Sequence, residues 1–408
     1  MSAQVAERRP APPAPPARAA WRSPASIGWA GVALGVLAFF VAVPPATIRS
    51  PIPTIVLGVL GMAAGAWAVG NDERRLGWGA IAISVVGIAG GIAATQSGAA
   101  NLDRVVVWSA LFAAMLRYAT PLIFAALGGL FSERSGVINI ALEGMLLMGA
   151  FFGVLGADLT GSWVLGLLIG MAAGGALAFI HALFAVTLRA DQIVSGTALN
   201  FLALGITTYL FLNRYGTQGT PDNLPQIPDV KLPGVESIPF FGDIFGQLNL
   251  MIWIGLLLVL LVWVVVFRTP PGLRLRSAGE NPLAAETAGL SVVKTRYAAV
   301  VTSGVLAAAG GAYLSIGFVH SFSQNMTVGK GFIALAALIF GRWRPGGALA
   351  AALLFGFSSA LAQRLPVFSP SAATLFQSLP YVLTLIAVAG VIGRSIPPAS
   401  LGRPLERS

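Results

Sequence analysis

Arg268 to Arg296, RTPPGLRLRSAGENPLAAETAGLSVVKTR, is the one long polar island with helix-cap chemistry in an otherwise apolar chain, and the rest is read outward from it. Asn281 is a good N-cap, Pro282 suits the first helical position, and Gly289 suits the left-handed residue that ends a helix. The spacing therefore predicts a short helix of about two turns from Pro282 to Ala288. Arg268, Arg274, Arg276, Lys294 and Arg296 flank it between two apolar runs. That is the charge bias of a cytoplasmic loop in a membrane protein, so the exposed face of the short helix is expected to meet a cytoplasmic partner. An ordinary connecting loop with a chance helix has the same spacing.

The 408 residues are 56% hydrophobic and only 10% charged, with a mean hydropathy of +0.81. A soluble globule cannot bury that much apolar side chain, so the composition predicts an all-α polytopic membrane protein. The net charge of +10 does not argue for nucleic acid, because the charges sit in short loops where membrane insertion already explains them. With no cysteine, disulfides, thiolate metal sites and cysteine nucleophiles are excluded.

About twelve hydrophobic segments can be marked, some of them short or broken: Ile27–Val43, Ile52–Val69, Gly77–Ala94, Val105–Leu130, Val137–Ala157, Trp163–Leu188, Ile193–Leu212, Leu248–Phe267, Tyr297–Val319, Phe332–Phe340, Ala348–Ala362 and Leu375–Ile392. Residues 1–26, with APPAPPA and four arginines, are expected to be a disordered cytoplasmic tail. A cleavable signal peptide is the competing reading of Ile27–Val43, but the apolar run is long and no clean cleavage site follows it. With the N-terminus inside, parity puts the polar island, the Arg342–Gly347 turn and the C-terminus in the cytoplasm. Of the 25 Lys and Arg, eighteen then fall inside, six outside (Arg49, Arg104, Arg214, Lys231, Lys330, Arg364) and one, Arg117, in a span.

Two places break the pattern. In Phe131 to Gly144, FSERSGVINIALEG, Asn139 and Glu143 are expected i, i+4 on one helical face after a glycine-bearing break. A carboxylate in hydrocarbon either lines a cavity, pairs, or ties down loose backbone. Phe332 to Phe340 would span only about 13 Å, less than half a bilayer core, and reads as a broken helix. Broken helices in membranes mark places where backbone is buried in protein or faces water, often a transport path. A full span starting near Asn325 is the alternative. Small residues four apart, as in Gly31/Gly35, Gly61/Gly65, Gly149/Gly153 and Gly166/Gly170/Gly174, predict close helix packing within the chain. The Asn213–Gln247 loop outside either docks a soluble partner or merely connects two spans. Enzyme chemistry has little footing. His181 and His320 have no metal-ligand spacing, no serine sits in a nucleophile elbow, and Gly329-Lys330-Gly331 lacks the full phosphate-cradling motif.

Four motifs, in order, carry a resemblance: FSERSGVINIALEGMLLMGAF (Phe131–Phe151), QIVSGTALNFLALGIT (Gln192–Thr207), GLRLRSAGENPLAAETAGLSV (Gly272–Val292) and NMTVGKGFIALAALIFGRWRPGG (Asn325–Gly347). They closely resemble a permease subunit of bacterial ABC importers for nucleosides and, more distantly, the ribose and branched-chain amino acid permeases. The resemblance covers about Val105 to Arg394, leaving residues 27–104 as an extra three-span region and 395–408 as a cytoplasmic tail. It implies no cofactor in this chain, since ATP is bound by a partner ATPase. It also implies a second, homologous permease subunit, an extracellular substrate-binding lipoprotein and a small polar solute, most plainly a nucleoside, crossing the cell membrane. Under it, Asn139, Glu143, Ser195, Asn200, Phe322 and Asn325 are candidates for the substrate pathway. Arg274, Arg276, Gly279, Glu280, Asn281, Pro282, Ala284, Ala285, Glu286 and Gly289 become the loop coupled to the ATPase. Sugars or other small solutes are alternative cargoes, and an ion-coupled transporter using Glu143 is the rival mechanism.

Overall fold

A computed structural model of the chain describes residues 23–42, 50–96, 107–364 and 396–403, with a few isolated residues between them (46, 48, 377–378 and 380–382). The twelfth predicted span, Leu375–Ile392, falls almost wholly outside them, as do most of the N-terminal tail and residues 404–408. Among the described residues nine helices are long and apolar enough to cross a membrane, and two apolar helices are shorter. The protein is a multi-pass, all-α membrane protein.

Contacts divide the chain into two compact units, residues 1–103 and 104–408. The first holds α1 (Pro24–Phe40), α2 (Pro51–Gly70) and α3 (Arg74–Gln96). Ser23 caps α1 by accepting from the Ser26 amide, and Ser50 caps α2 by accepting from Ile52. The three helices pack through glycines: a Cβ on Gly31 would stand 2.9 Å from the Gly61 carbonyl, and one on Gly35 2.7 Å from Ser84.

The second unit opens with α4 (Trp108–Arg134), α5 (Leu142–Thr160), α6 (Trp163–Ala182, continued as a π-turn to Thr187) and α7 (Gln192–Tyr215). The Asn213–Gln247 loop folds into a two-stranded antiparallel ladder, β1 (Asp229–Lys231) with β2 (Gln247–Asn249), around the short α8 (Phe241–Phe245). There follow α9 (Leu250–Arg268), α10 (Pro270–Glu280), α11 (Pro282–Thr287), α12 (Val292–Ala312, with π-turns to Val319), α13 (Lys330–Phe340) and α14 (Pro345–Arg364). Helices α4, α5 and α12 are the inner ones, while α6, α7 and α9 show Leu165, Phe201 and Leu257 outward, as lipid-facing helices do. Small residues let the inner helices meet. A Cβ on Gly149 of α5 would lie 2.1 Å from the Ala308 carbonyl of α12, and one on Gly311 1.9 Å from that of Leu146. The glycine spacings noted in both units thus serve packing within the chain.

Two expectations need correction. The run Val137–Ala157 is not one helix: residues 135–141 are irregular and α5 begins at Leu142. Asn139 and Glu143 therefore do not share a helical face. Gly136, at φ 93°, turns the chain out of α4, and helix hydrogen bonding resumes only after the turn. The polar island is also more helical than its caps suggest. Pro270 starts an additional eleven-residue helix, α10, whose buried face is Gly272, Leu275, Ala278 and Gly279.

Candidate transport site and coupling corner

Seven residues without helical hydrogen bonding, 135–141, leave backbone groups that apolar surroundings cannot satisfy. Each neighbouring helix supplies a partner. Ser132 donates from its hydroxyl to the Val137 carbonyl at 2.8 Å. Gln192 of α7 accepts the Ile138 amide at 2.8 Å, and Nε2 of buried His181 in α6 is 2.9 Å from the Ile138 carbonyl. Asn200 makes two contacts, donating to the Ile140 carbonyl at 2.9 Å and accepting the Gly144 amide at 2.8 Å. Asn139 donates to the Ser303 hydroxyl of α12 at 2.8 Å. The break is thereby held by three helices that are distant in sequence.

Glu143 sits in the first turn of α5, where the break ends. Its Oε1 accepts from the Thr327 hydroxyl at 2.5 Å and from the Gly329 amide at 2.8 Å, and its Oε2 accepts from the Gly331 amide at 2.6 Å. Gly329 is the N-cap of α13 and Gly331 lies in its first turn, so the carboxylate occupies the positive end of that helix. Only glycine fits at 331: a Cβ there would lie 2.4 Å from the Glu143 nitrogen. With eleven residues, α13 is about 16 Å long and is a half-helix, as the short apolar run predicted. Two irregular segments, 135–141 and 320–329, thus meet at one carboxylate.

The other pathway candidates separate. Ser195 is buried and its hydroxyl is 3.4 Å from the Gln192 carbonyl of its own helix. Phe322 is buried in an aromatic cluster, its ring 5.2 Å from that of Phe151 and 5.3 Å from that of Phe211. Asn325 is exposed, with φ 55°, in the turn before α13. The structure brings Asn139, Glu143 and Asn200 together around the break and leaves Ser195, Phe322 and Asn325 apart from it. Gln192, His181, Ser303 and Thr327 complete the site; His181 and Ser303 stand in apolar runs, Gln192 and Thr327 in polar stretches beside them, and no local spacing signals them. Among the described residues no cluster of three or more His, Asp or Glu side chains is suited to a metal.

At one end of the bundle α10 and α11 form a corner. Asn281 caps α11 by accepting the Ala284 amide at 3.1 Å, and Gly289 takes φ 84°, as their residue types predicted. Ala285 is buried against Ala278 and Val292, and Gly279 is buried against the Arg134 carbonyl, so neither lies on the outward face of the corner. Pro282 and Glu286 are half-buried, whereas Ala284, Thr287 and Leu283, the last 57% exposed, point outward. Leu283 is the residue that cap chemistry does not reveal. Glu280 accepts the Ala399 amide at 3.2 Å and lies 3.9 Å from Arg134. Arg276 stacks its guanidinium on the Phe267 ring, 5.3 Å from the centroid, and Arg274 is exposed. The α13–α14 turn joins the same end: Trp343 donates its indole N–H to buried Glu133 at 2.5 Å and accepts on its carbonyl from Arg134 at 2.8 Å.

Elsewhere, an open polar hollow of about 540 Å³ is lined by Asp229, Lys231, Glu236, Asp243, Gln247 and Arg117. Arg117, the one charge placed inside a span, lines this hollow from α4.

Comparisons with known proteins fit this architecture. The family described as branched-chain amino acid transport system / permease component matches residues 111–388. The guanosine ABC transporter permease protein NupQ of Bacillus subtilis is 44% identical over 315 residues, covering 74% of this chain and 98% of that protein. The nucleoside ABC transporter permease protein NupC of Lactococcus lactis is 41% identical over 302 residues, 72% of this chain and 95% of that one. The guanosine ABC transporter permease protein NupP of Bacillus subtilis is 29% identical over 264 residues, 61% and 75% of the two chains. No solved structure matches. These relatives are transporter permeases, not enzymes. The chain belongs to the branched-chain amino acid transport system / permease component family.

Proposed function

We propose that this permease carries nucleosides into the cell as the membrane subunit of an ATP-driven importer. The observation that carries the transport reading is the meeting of two irregular segments at Glu143, beside the start of a half-helix. Discontinuous backbone of this kind, buried among inner helices, is where alternating-access transporters place their moving parts. The nucleoside assignment is supported by the guanosine and nucleoside permeases that align with it over nearly their whole length.

The α10–α11 corner faces the cytoplasm, as Arg274 and Arg276 within it and Arg268, Lys294 and Arg296 beside it favour, and Leu283, Ala284 and Thr287 form the face that enters a groove of a separate ATPase. ATP binds there and not to this chain. A second, homologous permease pairs with it, as the two guanosine permeases of Bacillus subtilis suggest. A substrate-binding lipoprotein delivers cargo at the opposite end, where the Asp229–Gln247 hollow offers mixed charges for recognition. Both termini lie inside.

The deciding experiment reconstitutes the chain in vesicles with its ATPase, second permease and binding protein and follows labelled guanosine and glucose. ATP-dependent uptake of guanosine, competed by other nucleosides and surviving a protonophore, is expected. Uptake driven by a proton gradient without ATP would overturn the reading, and preference for glucose would overturn the cargo.

A further inference from the structure

Residues Ile396–Arg403 lie as a strap across the same end of the bundle as the α10–α11 corner. Ser400 donates its amide to the Gly279 carbonyl at 2.9 Å and its hydroxyl to the same oxygen at 2.6 Å, closing on the last turn of α10. The Ala399 amide holds Glu280, next to the α11 cap. Two residues on, Gly402 donates its amide to the Gly136 carbonyl at 3.0 Å, inside the irregular break. The Arg403 carbonyl accepts from Arg296 at 3.2 Å, and that guanidinium also donates to the Ser135 carbonyl at 3.1 Å. Arg296 and Ser400 are both buried. A fully buried arginine is costly unless its donors are used; here Nε and Nη1 are spent on joining strap to break, while Nη2 is left without a partner. Gly402 takes φ 77°, and a Cβ on it would meet Ile138 at 2.8 Å, so the strap fits the break closely.

We propose that this strap is the positioning element that makes the α10–α11 corner and the 135–144 break move as one body, with Ser400, Gly402 and Arg296 as its fasteners. The corner touches the ATPase only at its outward face, while the break leads within a few residues to Glu143 and α13. Gly279 already packs directly on the Arg134 carbonyl and near the Gly136 amide, and the strap adds hydrogen bonds to both corner and break, so that displacement of α11 is carried to the transport segment. The inference rests on the ATPase-docking role given to α11 above.

The test uses the complete transporter in vesicles, reading ATPase binding by co-purification and guanosine uptake per ATP hydrolysed. Variants are deletion of residues 396–408, Gly402→Val, Ser400→Ala and Ser400→Thr. All are expected to keep the ATPase bound. Uptake per ATP should fall by about tenfold in the deletion and in Gly402→Val, and by about threefold in Ser400→Ala, as loss of several or of one ordinary hydrogen bond implies. Ser400→Thr, which keeps the hydroxyl, should restore it. A strap that only stabilises the fold would lower the yield of protein and leave uptake per ATP at the parent value. That result in Gly402→Val and Ser400→Ala overturns the proposal, even if the deletion fails to insert. Leu283→Asp checks the docking role separately: undiminished ATPase binding there overturns that role and the strap's with it.

Discussion

Replacing Glu143 with Gln removes one charge and one acceptor and leaves the shape unchanged. In the parent, the two carboxylate oxygens take three donors, the Thr327 hydroxyl and the Gly329 and Gly331 amides. A glutamine has one oxygen. If it faces Gly329 and Thr327, its NH₂ confronts the Gly331 N–H. If it is reversed, the NH₂ confronts the Gly329 N–H, and only the rotatable Thr327 hydroxyl can adapt. In either orientation one buried backbone donor is orphaned, costing about 1–3 kcal/mol, and the bonds that survive lose their charge assistance, for a total of about 2–4 kcal/mol. The variant should unfold earlier in detergent, followed by tryptophan fluorescence, with Glu143→Asp between it and the parent. In vesicles with ATP held constant, guanosine uptake should be weakened but present, and insensitive to a protonophore. A Gln variant as stable as the parent that has lost concentrative uptake altogether would refute this reasoning, because the carboxylate would then be cycling a proton and not holding a helix.

Gly149→Val forces a side chain into a gap where a Cβ would already stand 2.1 Å from the Ala308 carbonyl; overpacking of this kind costs about 1–3 kcal/mol or more, and separation of α5 from α12 should lower both melting midpoint and uptake. An unchanged midpoint would show that the helices part freely. Leu283→Asp places a charge on the exposed face of α11 and should weaken ATPase co-purification at least about 30-fold, the loss typical of a central interface residue, while membrane insertion stays normal. Deleting residues 1–103, the whole first unit, should leave a permease that inserts and transports, provided the new N-terminus is placed outside. Failure to assemble with that orientation verified would make the unit integral.

Much of the architecture is legible because membrane insertion writes it in composition. Long apolar runs, positive loops and the short run before Gly341 each state a local requirement. The α11 helix is legible for a similar reason: Asn281, Pro282 and Gly289 act on their own neighbours, so their residue types carry the information. Helix α10 escapes this kind of reading because its buried face is made of Gly272, Ala278 and Gly279 with a single Leu275, too small to register as an apolar stripe. The inward turn of Ala285 is set by Ala278 and Val292 on other helices, and no pattern within α11 states it.

The break at 135–141 shows a deeper limit. Val137 to Ala157 is apolar throughout except for Asn139 and Glu143, and hydropathy alone sees one span. What interrupts it is a demand for hydrogen bonds met from Gln192, His181, Asn200 and Ser303, residues that look incidental in their own runs. A polar side chain among apolar ones is therefore ambiguous until the partners are known. It can contact cargo, or it can serve backbone that has left the helix, and the two uses produce the same sequence. In this chain Asn200 and Glu143 spend their described hydrogen bonds on backbone amides, one carbonyl and one hydroxyl. Their first physical duty is to hold two irregular segments against each other, which keeps their unpaired backbone groups from going unsatisfied among apolar helices.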